Sequence, residues 1–314
     1  MGVYLLRRLL EALLTTFLAS VLVFTMVAAL PGDPAEVILG DRGTPQQLQA
    51  LRAYLGVDQP IPVQYARWAD RTLRGDLGYS LINEYPVASI IKRTLPVTLE
   101  LSVWALLVVI VIAFPAGVYA ATHQYSPVAR ALSVYHSIAL SVPVFWLGVL
   151  LSWFFGVVVR WLPPSGFTPF SESPTGWARS LVLPAVTLGV GVGSVMARFV
   201  QAALEEQLER DYIRTAHAKG LRHGTVIWRH GIRNALISVI TVLGMNAAFF
   251  ISGAVLTEAV FAVPGIGSAI WRAILSRDYF VAQSIIMIGT MAFIVINLLT
   301  DLSYALLDPR IRYQ

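Results

Sequence analysis

Six stretches of about twenty or more mostly apolar residues recur along this chain, at 9–30, 98–121, 131–155, 181–200, 236–260 and 281–307. They constrain the fold more than any other feature. The hydrocarbon core of a bilayer is about 30 Å thick and takes about 20 residues of helix to cross. Inside lipid every backbone N–H and C=O must be satisfied within the protein, so segments of this kind are helices. The expected fold is an all-α, polytopic membrane helix bundle with six transmembrane helices. Composition agrees, since 56% of the 314 residues are hydrophobic and only 13% are charged.

Arg7 and Arg8 precede the first apolar stretch, a pattern shared by signal peptides and first membrane helices. The stretch is longer than a signal h-region of about 7–15 residues, and Val27-Ala28-Ala29-Leu30 makes a poor cleavage site. A membrane helix over 1–30 is therefore expected, with Glu11 one turn from Arg7 as an interfacial ion pair. Between 31 and 97 the composition shifts to Gly, Pro, Asp, Arg and Gln, as in Pro31-Gly32-Asp33-Pro34. This segment is expected to be an ordered cap outside the bilayer. Thr44 is positioned to cap a short helix from Pro45, with Leu48 and Leu51 on one face. The remaining residues, 98–314, hold the other five helices. Pro115, Pro143 and Pro184 inside them predict kinks. Gly189 and Gly193 form a G-x-x-x-G pair that admits close helix packing.

Basic residues set the orientation. With the N-terminus in the cytoplasm, Arg7, Arg8, Arg130, Arg198, Arg210, Arg214, Lys219, Arg222, Arg229, Arg233, Arg310 and Arg312 lie inside, against Arg160, Arg179, Arg272 and Arg277 in the short outer loops. The excess of inside cations places both termini in the cytoplasm. No block of positive charge reads as a nucleic-acid patch.

Several chemistries lack their residues. The chain has no cysteine, which removes disulfides, thiolate metal sites and a Cys nucleophile. Its five histidines show no H-E-x-x-H spacing, and no G-x-S-x-G elbow supports a serine hydrolase. No G-x-x-x-x-G-K-[ST] loop is present, so nucleotide phosphates have no P-loop here. A secondary transporter or channel is the other transport class to weigh, and ion coupling would call for ionisable groups near the midplane. Glu100, Glu258 and Asp301 instead lie near helix ends, and the helix centres offer the neutral Ser141, Asn246 and Ser252 as candidate pathway residues.

The segment 201–235 between the fourth and fifth helices is too regular for a tail. Leu204, Leu208 and Tyr212 repeat at helical spacing, Glu205, Glu206 and Glu209 cluster early, and Gly220 can end the helix in a left-handed conformation. A second amphipathic stretch, 225–236, returns to the membrane. Such a hairpin suits either the lipid surface or a protein partner.

Arg214-Thr215-Ala216-His217-Ala218-Lys219-Gly220, followed by Trp228-Arg229-His230-Gly231-Ile232-Arg233-Asn234-Ala235, resembles the EAA loop of ABC importer permeases. More narrowly, the chain resembles the dipeptide/oligopeptide/nickel branch. Leu30-Pro31-Gly32-Asp33-Pro34-Ala35, Leu73-Arg74-Gly75-Asp76-Leu77-Gly78, Glu258-Ala259-Val260-Phe261 with Pro264-Gly265-Ile266-Gly267, and Leu306-Leu307-Asp308-Pro309-Arg310 extend the likeness over nearly the whole chain. Arg214 and Thr215 stand where Glu and Ala are usual, Arg233 replaces a late Pro, and Ser238 replaces a Pro common in the branch.

The resemblance implies a type I importer permease in the bacterial inner membrane, with no ATPase site or cofactor of its own. A homologous second permease would complete the pathway, two ATPase subunits would bind ATP and Mg, and an extracytoplasmic binding protein would deliver the solute. Arg214 through Gly220 would dock into the ATPase. The solute implied is a dipeptide or oligopeptide, with nickel chelates and glutathione as the alternatives.

Overall fold

A computed structural model describes residues 2–29, 33–39 and 44–307. Helix α1 (Gly2–Ala28) has no internal proline and leaves most of its apolar surface uncovered. Arg7 and Arg8 both reach Glu11, at 3.0 and 3.2 Å, which is the expected interfacial pairing.

The cap contains α2 (Pro34–Leu39), α3 (Pro45–Leu55) and α4 (Ile61–Leu73). Thr44 caps α3 as its sequence predicts: its hydroxyl accepts from Gln47 N–H at 3.3 Å, and Gln47 Oε1 accepts from Thr44 N–H at 3.0 Å. Gly56 ends the same helix at φ +74°. The cap leans on α1, where Tyr65 Oη lies 2.8 Å from Ser20 Oγ and the Trp68 ring packs on Phe24.

Helix α5 (Val87–Thr122) begins well before residue 98, the boundary expected from the sequence. Pro96 lies inside it and does not end it. That proline is exposed, so the carbonyl it leaves without a helical donor is not trapped in a dry core. At 36 residues α5 spans about 54 Å, longer than a bilayer needs, so one end projects from the membrane.

Helix α8 (Pro174–Leu208) runs parallel to α5 and forms the centre of the bundle with it. Their separation is set by absent side chains. A Cβ on Gly189 would stand 2.6 Å from Val108 Cγ1, and one on Gly117 would stand 2.6 Å from the Ala197 carbonyl oxygen. Gly193 meets Ile112 in the same seam, so the G-x-x-x-G pair is a packing surface.

Two expected spans are broken. The third is α6 (Pro127–Ser141) and α7 (Val144–Leu151), the latter continued by π-helical turns over Ser152–Val158, and the two halves meet at 102°. Pro143 thus produces a full break where a kink is expected. The fifth is α11 (Arg233–Gly253) followed by α12 (Val255–Val260). Helices α13 (Ile266–Leu275) and α14 (Tyr279–Leu307) complete the chain. By length and composition four described helices can cross a membrane, or five with the bent pair as one span. The remaining span expected from the sequence falls on α11, which is 21 residues long and carries no charged residue after Arg233.

Candidate functional site

The hairpin joining α8 to α11 is built from helix α9 (Asp211–Ala218), a turn through Lys219-Gly220, helix α10 (His223–Thr225), and π-helical turns over Val226–Ile232. Sequence spacing predicts one continuous helix through Leu204, Leu208 and Tyr212, but the chain breaks at Glu209-Arg210. Electrostatics explains the break. Glu205, Glu206 and Glu209 crowd the C-terminal end of α8, where the helix dipole disfavours anions, whereas Asp211 opens α9 at a favourable N-terminus. Gly220 adopts φ +76°, the left-handed conformation expected of it.

Packing fixes the hairpin on the bundle. Ile213, Ala216 and Val226 close its small interior, with Tyr212 against them. Leu204, Ile227, Ile232 and Ala235 bury the returning arm on α8 and on Ala121 of α5. Gly231 admits this contact, since a Cβ there would lie 3.0 Å from Leu204 Cδ1. Tyr212 Oη donates to Gln207 Oε1 at 2.9 Å and accepts from Asn234 Nδ2 at 3.2 Å. One hydroxyl therefore ties the end of α8, the start of α9 and the start of α11.

The seven residues singled out from the sequence divide between two faces. Arg214, Thr215, His217, Ala218, Lys219 and Gly220 are exposed, while Ala216 is buried at 6% exposure. The small size of Ala216 thus serves the hairpin's own interior, and Ala218 is the small residue on the free face. His217 and His223 stack at 5.5 Å across the turn.

The candidate pathway residues are not brought together by any hydrogen bond among the described residues. Ser141 is exposed at the end of α6, donating to the Ser137 carbonyl at 2.9 Å. Asn246 is half-buried, and its Nδ2 donates to Val242 O at 2.6 Å and lies 3.6 Å from the Met196 sulfur of α8. The side chain of Ser252 lies outside the described residues.

At the opposite end of the bundle stands a cluster whose role the sequence did not reveal. Glu258, at 0% exposure, accepts from Thr98 Oγ1 at 2.7 Å and from Ser268 N–H at 2.8 Å. Thr98 Oγ1 in turn accepts from Ile266 N–H at 2.8 Å. One carboxylate and one hydroxyl thus bind the start of α13 to α5 and α12. Gly265 and Gly267 wrap the carboxylate so closely that a Cβ on Gly265 would occupy its place. A second buried carboxylate, Asp278 at 3% exposure, accepts from Ser80 Oγ and from Leu81 N–H at 3.2 Å, tying the cap to the loop before α14.

Residues 113–313 match the family model described as "Binding-protein-dependent transport system inner membrane component", and residues 1–102 match the N-terminal model of the same kind of system. The chain belongs to this family. It is a permease subunit of a type I ABC importer. It is 40% identical to a probable peptide ABC transporter permease protein, y4tP, of Sinorhizobium fredii, over the full length of both chains. A putative peptide transport system permease protein of Brucella abortus is 38% identical over the full length of both. The glutathione transport system permease protein GsiC of Escherichia coli K12 is 37% identical over 99% of each chain. An inward-facing structure of the MetNI methionine ABC transporter overlays 71% of this permease and 98% of its own chain at TM-score 0.59, and at 18% identity this supports the fold alone.

Proposed function

We propose that this permease imports peptides as one half of a membrane heterodimer, driven by two ATPase subunits that dock on the exposed face of the 201–235 hairpin. The observation that carries the proposal is the hairpin itself. Its small interior is closed, it is tied to α8 and α11 by Tyr212, and it still presents Arg214, Thr215, His217, Ala218, Lys219 and Gly220 outward. A rigid projection joined to two long helices can transmit motion of a docked partner as rigid-body displacement of the bundle. Hydrolysis then belongs to the partners, where ATP and Mg are bound, and the permease needs no cofactor. The excess of basic residues at the hairpin end supports cytoplasmic termini and delivery of solute to the cap by a binding protein.

Peptide is the preferred solute because full-length relatives carry that description. Glutathione is the second reading, favoured by the Escherichia coli relative. Asn246 and Ser141, and Ser252 by its position on α11, are the neutral polar groups proposed to offer exchangeable hydrogen bonds along the pathway. The test is uptake in proteoliposomes holding the assembled transporter and its binding protein. Peptide uptake that is abolished by vanadate and by omission of the ATPases is expected. Uptake that proceeds without the ATPases would overturn the ABC reading, and exclusive uptake of glutathione would select the second solute.

A further inference from the structure

A cavity of about 370 Å³ opens where the end of α1, the cap helices α3 and α4 and the start of α14 meet. We propose that it binds an anionic phospholipid, with the phosphate on Arg67 and Arg71 and an acyl chain against the wall formed by Phe24, Val27 and Ala28.

The charge inventory points to an anion. Arg52, Arg67, Arg71, Asp33 and Asp76 line the cavity. Asp33 is engaged by Arg52, and Asp76 Oδ1 accepts from Gly78 N–H at 3.0 Å. Among the described residues, Arg67 and Arg71 have no carboxylate within ion-pair distance. The Arg67 guanidinium lies close over Gly56 at the cavity wall, with Nη1 3.3 Å from where a Cβ would stand. The second pointer is Gln283 of α14. It lines the cavity at 5% exposure, yet its Nε2 has no hydrogen-bond partner. A buried amide left this way is costly, and a phosphate or ester oxygen would satisfy it.

The apolar wall selects a lipid over a free anion. Leu22 and Met26, on the same final turns of α1, are 55% and 63% exposed, so the cavity adjoins the surface that this membrane helix offers to lipid. Trp68 also lines the cavity, and Tyr65 packs on it with ring centroids 5.9 Å apart, the aromatic character usual at a headgroup level. Paired arginines above an apolar wall match the two ends of one phospholipid. Assignment to the outer leaflet rests on the orientation proposed above. A single Cys at Leu73, which is 88% exposed at the end of α4, tests that orientation separately by labelling intact cells with an impermeant maleimide.

The binding test uses the assembled transporter in nanodiscs containing photoactivatable phosphatidylglycerol or phosphatidylcholine, with cross-linked peptides mapped by mass spectrometry. Phosphatidylglycerol is expected to label the lining segments of α1, α4 and α14 about tenfold more than phosphatidylcholine. Arg67→Gln with Arg71→Gln should remove that preference, Ala28→Trp should block labelling by filling the cavity, and Arg130→Gln, remote on α6, should leave it unchanged. Equal labelling by the two lipids, or a preference that survives loss of both arginines, would overturn the proposal. Full protection by inorganic phosphate or by a transported peptide would also overturn it and assign the cavity to a soluble anion or to solute. Peptide uptake is measured independently, so failure here leaves the transport reading intact.

Discussion

The hairpin around Gly220 and the clamp around Glu258 interrupt long helices at opposite ends of the bundle, but different forces hold them. The clamp is a polar interior: a fully buried carboxylate takes a hydroxyl and a backbone N–H, and two glycines admit it. The hairpin has a small apolar interior, an apolar seam of Leu204, Ile227 and Ile232 against the bundle, one tyrosine tie and a charged exterior. A buried, hydrogen-bonded carboxyl group leaves few alternative geometries, because any displacement exposes an unsatisfied group to a dry environment. A hairpin packed by apolar contacts, with its polar groups outside, loses little when a partner covers that outer face. The clamp is therefore a fixed point of the fold, and the hairpin is the element that keeps a free polar face.

The largest effect should come from breaking the fixed point. Glu258→Ala strands the Ser268 N–H and the Thr98–Ile266 pair beside a new void, costing on the order of 3 kcal/mol or more. A thermal denaturation midpoint of the detergent-solubilised transporter well below wild type is expected, with Glu258→Gln between the two. An unchanged midpoint in the alanine variant would mean that the carboxylate serves something other than the fold.

Next in size is Gly220→Val. A β-branched residue held at φ +76° costs about 1–2 kcal/mol. A Cβ there would meet nothing within 4 Å in this chain, so the strain is confined to the backbone and any further loss arises at a docked partner. The permease should remain in the membrane while its partners' ATP hydrolysis no longer responds to loaded binding protein. Gly220→Asn tolerates the left-handed conformation and should restore much of the response. Full coupling in the valine variant would return the hairpin to the lipid surface.

The two regions also differ in how much of them can be read from sequence. Gly220, the amphipathic hairpin and the Thr44 cap are local features whose determinants lie within a few residues, and each is found where spacing places it. The break at Glu209-Arg210 depends on charge against a helix dipole, which apolar periodicity does not weigh. Ala216 belongs to the segment that the resemblance implies for docking, yet it is buried against Ile213 and Val226 of the same hairpin, a contact that spacing along the chain does not show. The clamp is non-local. Glu258 and Thr98 are 160 residues apart, and without the fold the glutamate is one more membrane-edge acid. The start of α5 at Val87 was obscured by Pro96, whose helix-breaking tendency is overridden where the proline is exposed.

A smaller effect tests the tie between hairpin and bundle. Tyr212→Phe keeps the ring beside Ile213 and Val226 but removes the hydroxyl bridging Gln207 and Asn234, a loss of about 1 kcal/mol. Stability should fall slightly while ATPase stimulation falls by a larger fraction, because the lever loosens at its root. Equal proportional losses would make the tyrosine a stability element only.

The smallest structural effect is expected at His217→Ala, and for that reason it sharpens the contrast most. His217 is exposed, and its only ring contact in the described structure is the stack on His223 at 5.5 Å. Removing an exposed ring of this kind changes stability by no more than about 0.5 kcal/mol. The clamp has no comparable position, since each of its groups is buried and any substitution there perturbs the fold. On the hairpin, fold and docking are separable: a variant with wild-type melting but weaker stimulation of ATP hydrolysis by loaded binding protein has lost a contact to a partner and nothing else. A fall of about twofold, with cross-linking from a Cys at Ala218 to the ATPase reduced in parallel, is the expected result. If stimulation and cross-linking both stay at wild-type levels, the stacked histidines lie off the docking face, and the contact must be carried by Arg214, Thr215 and Ala218.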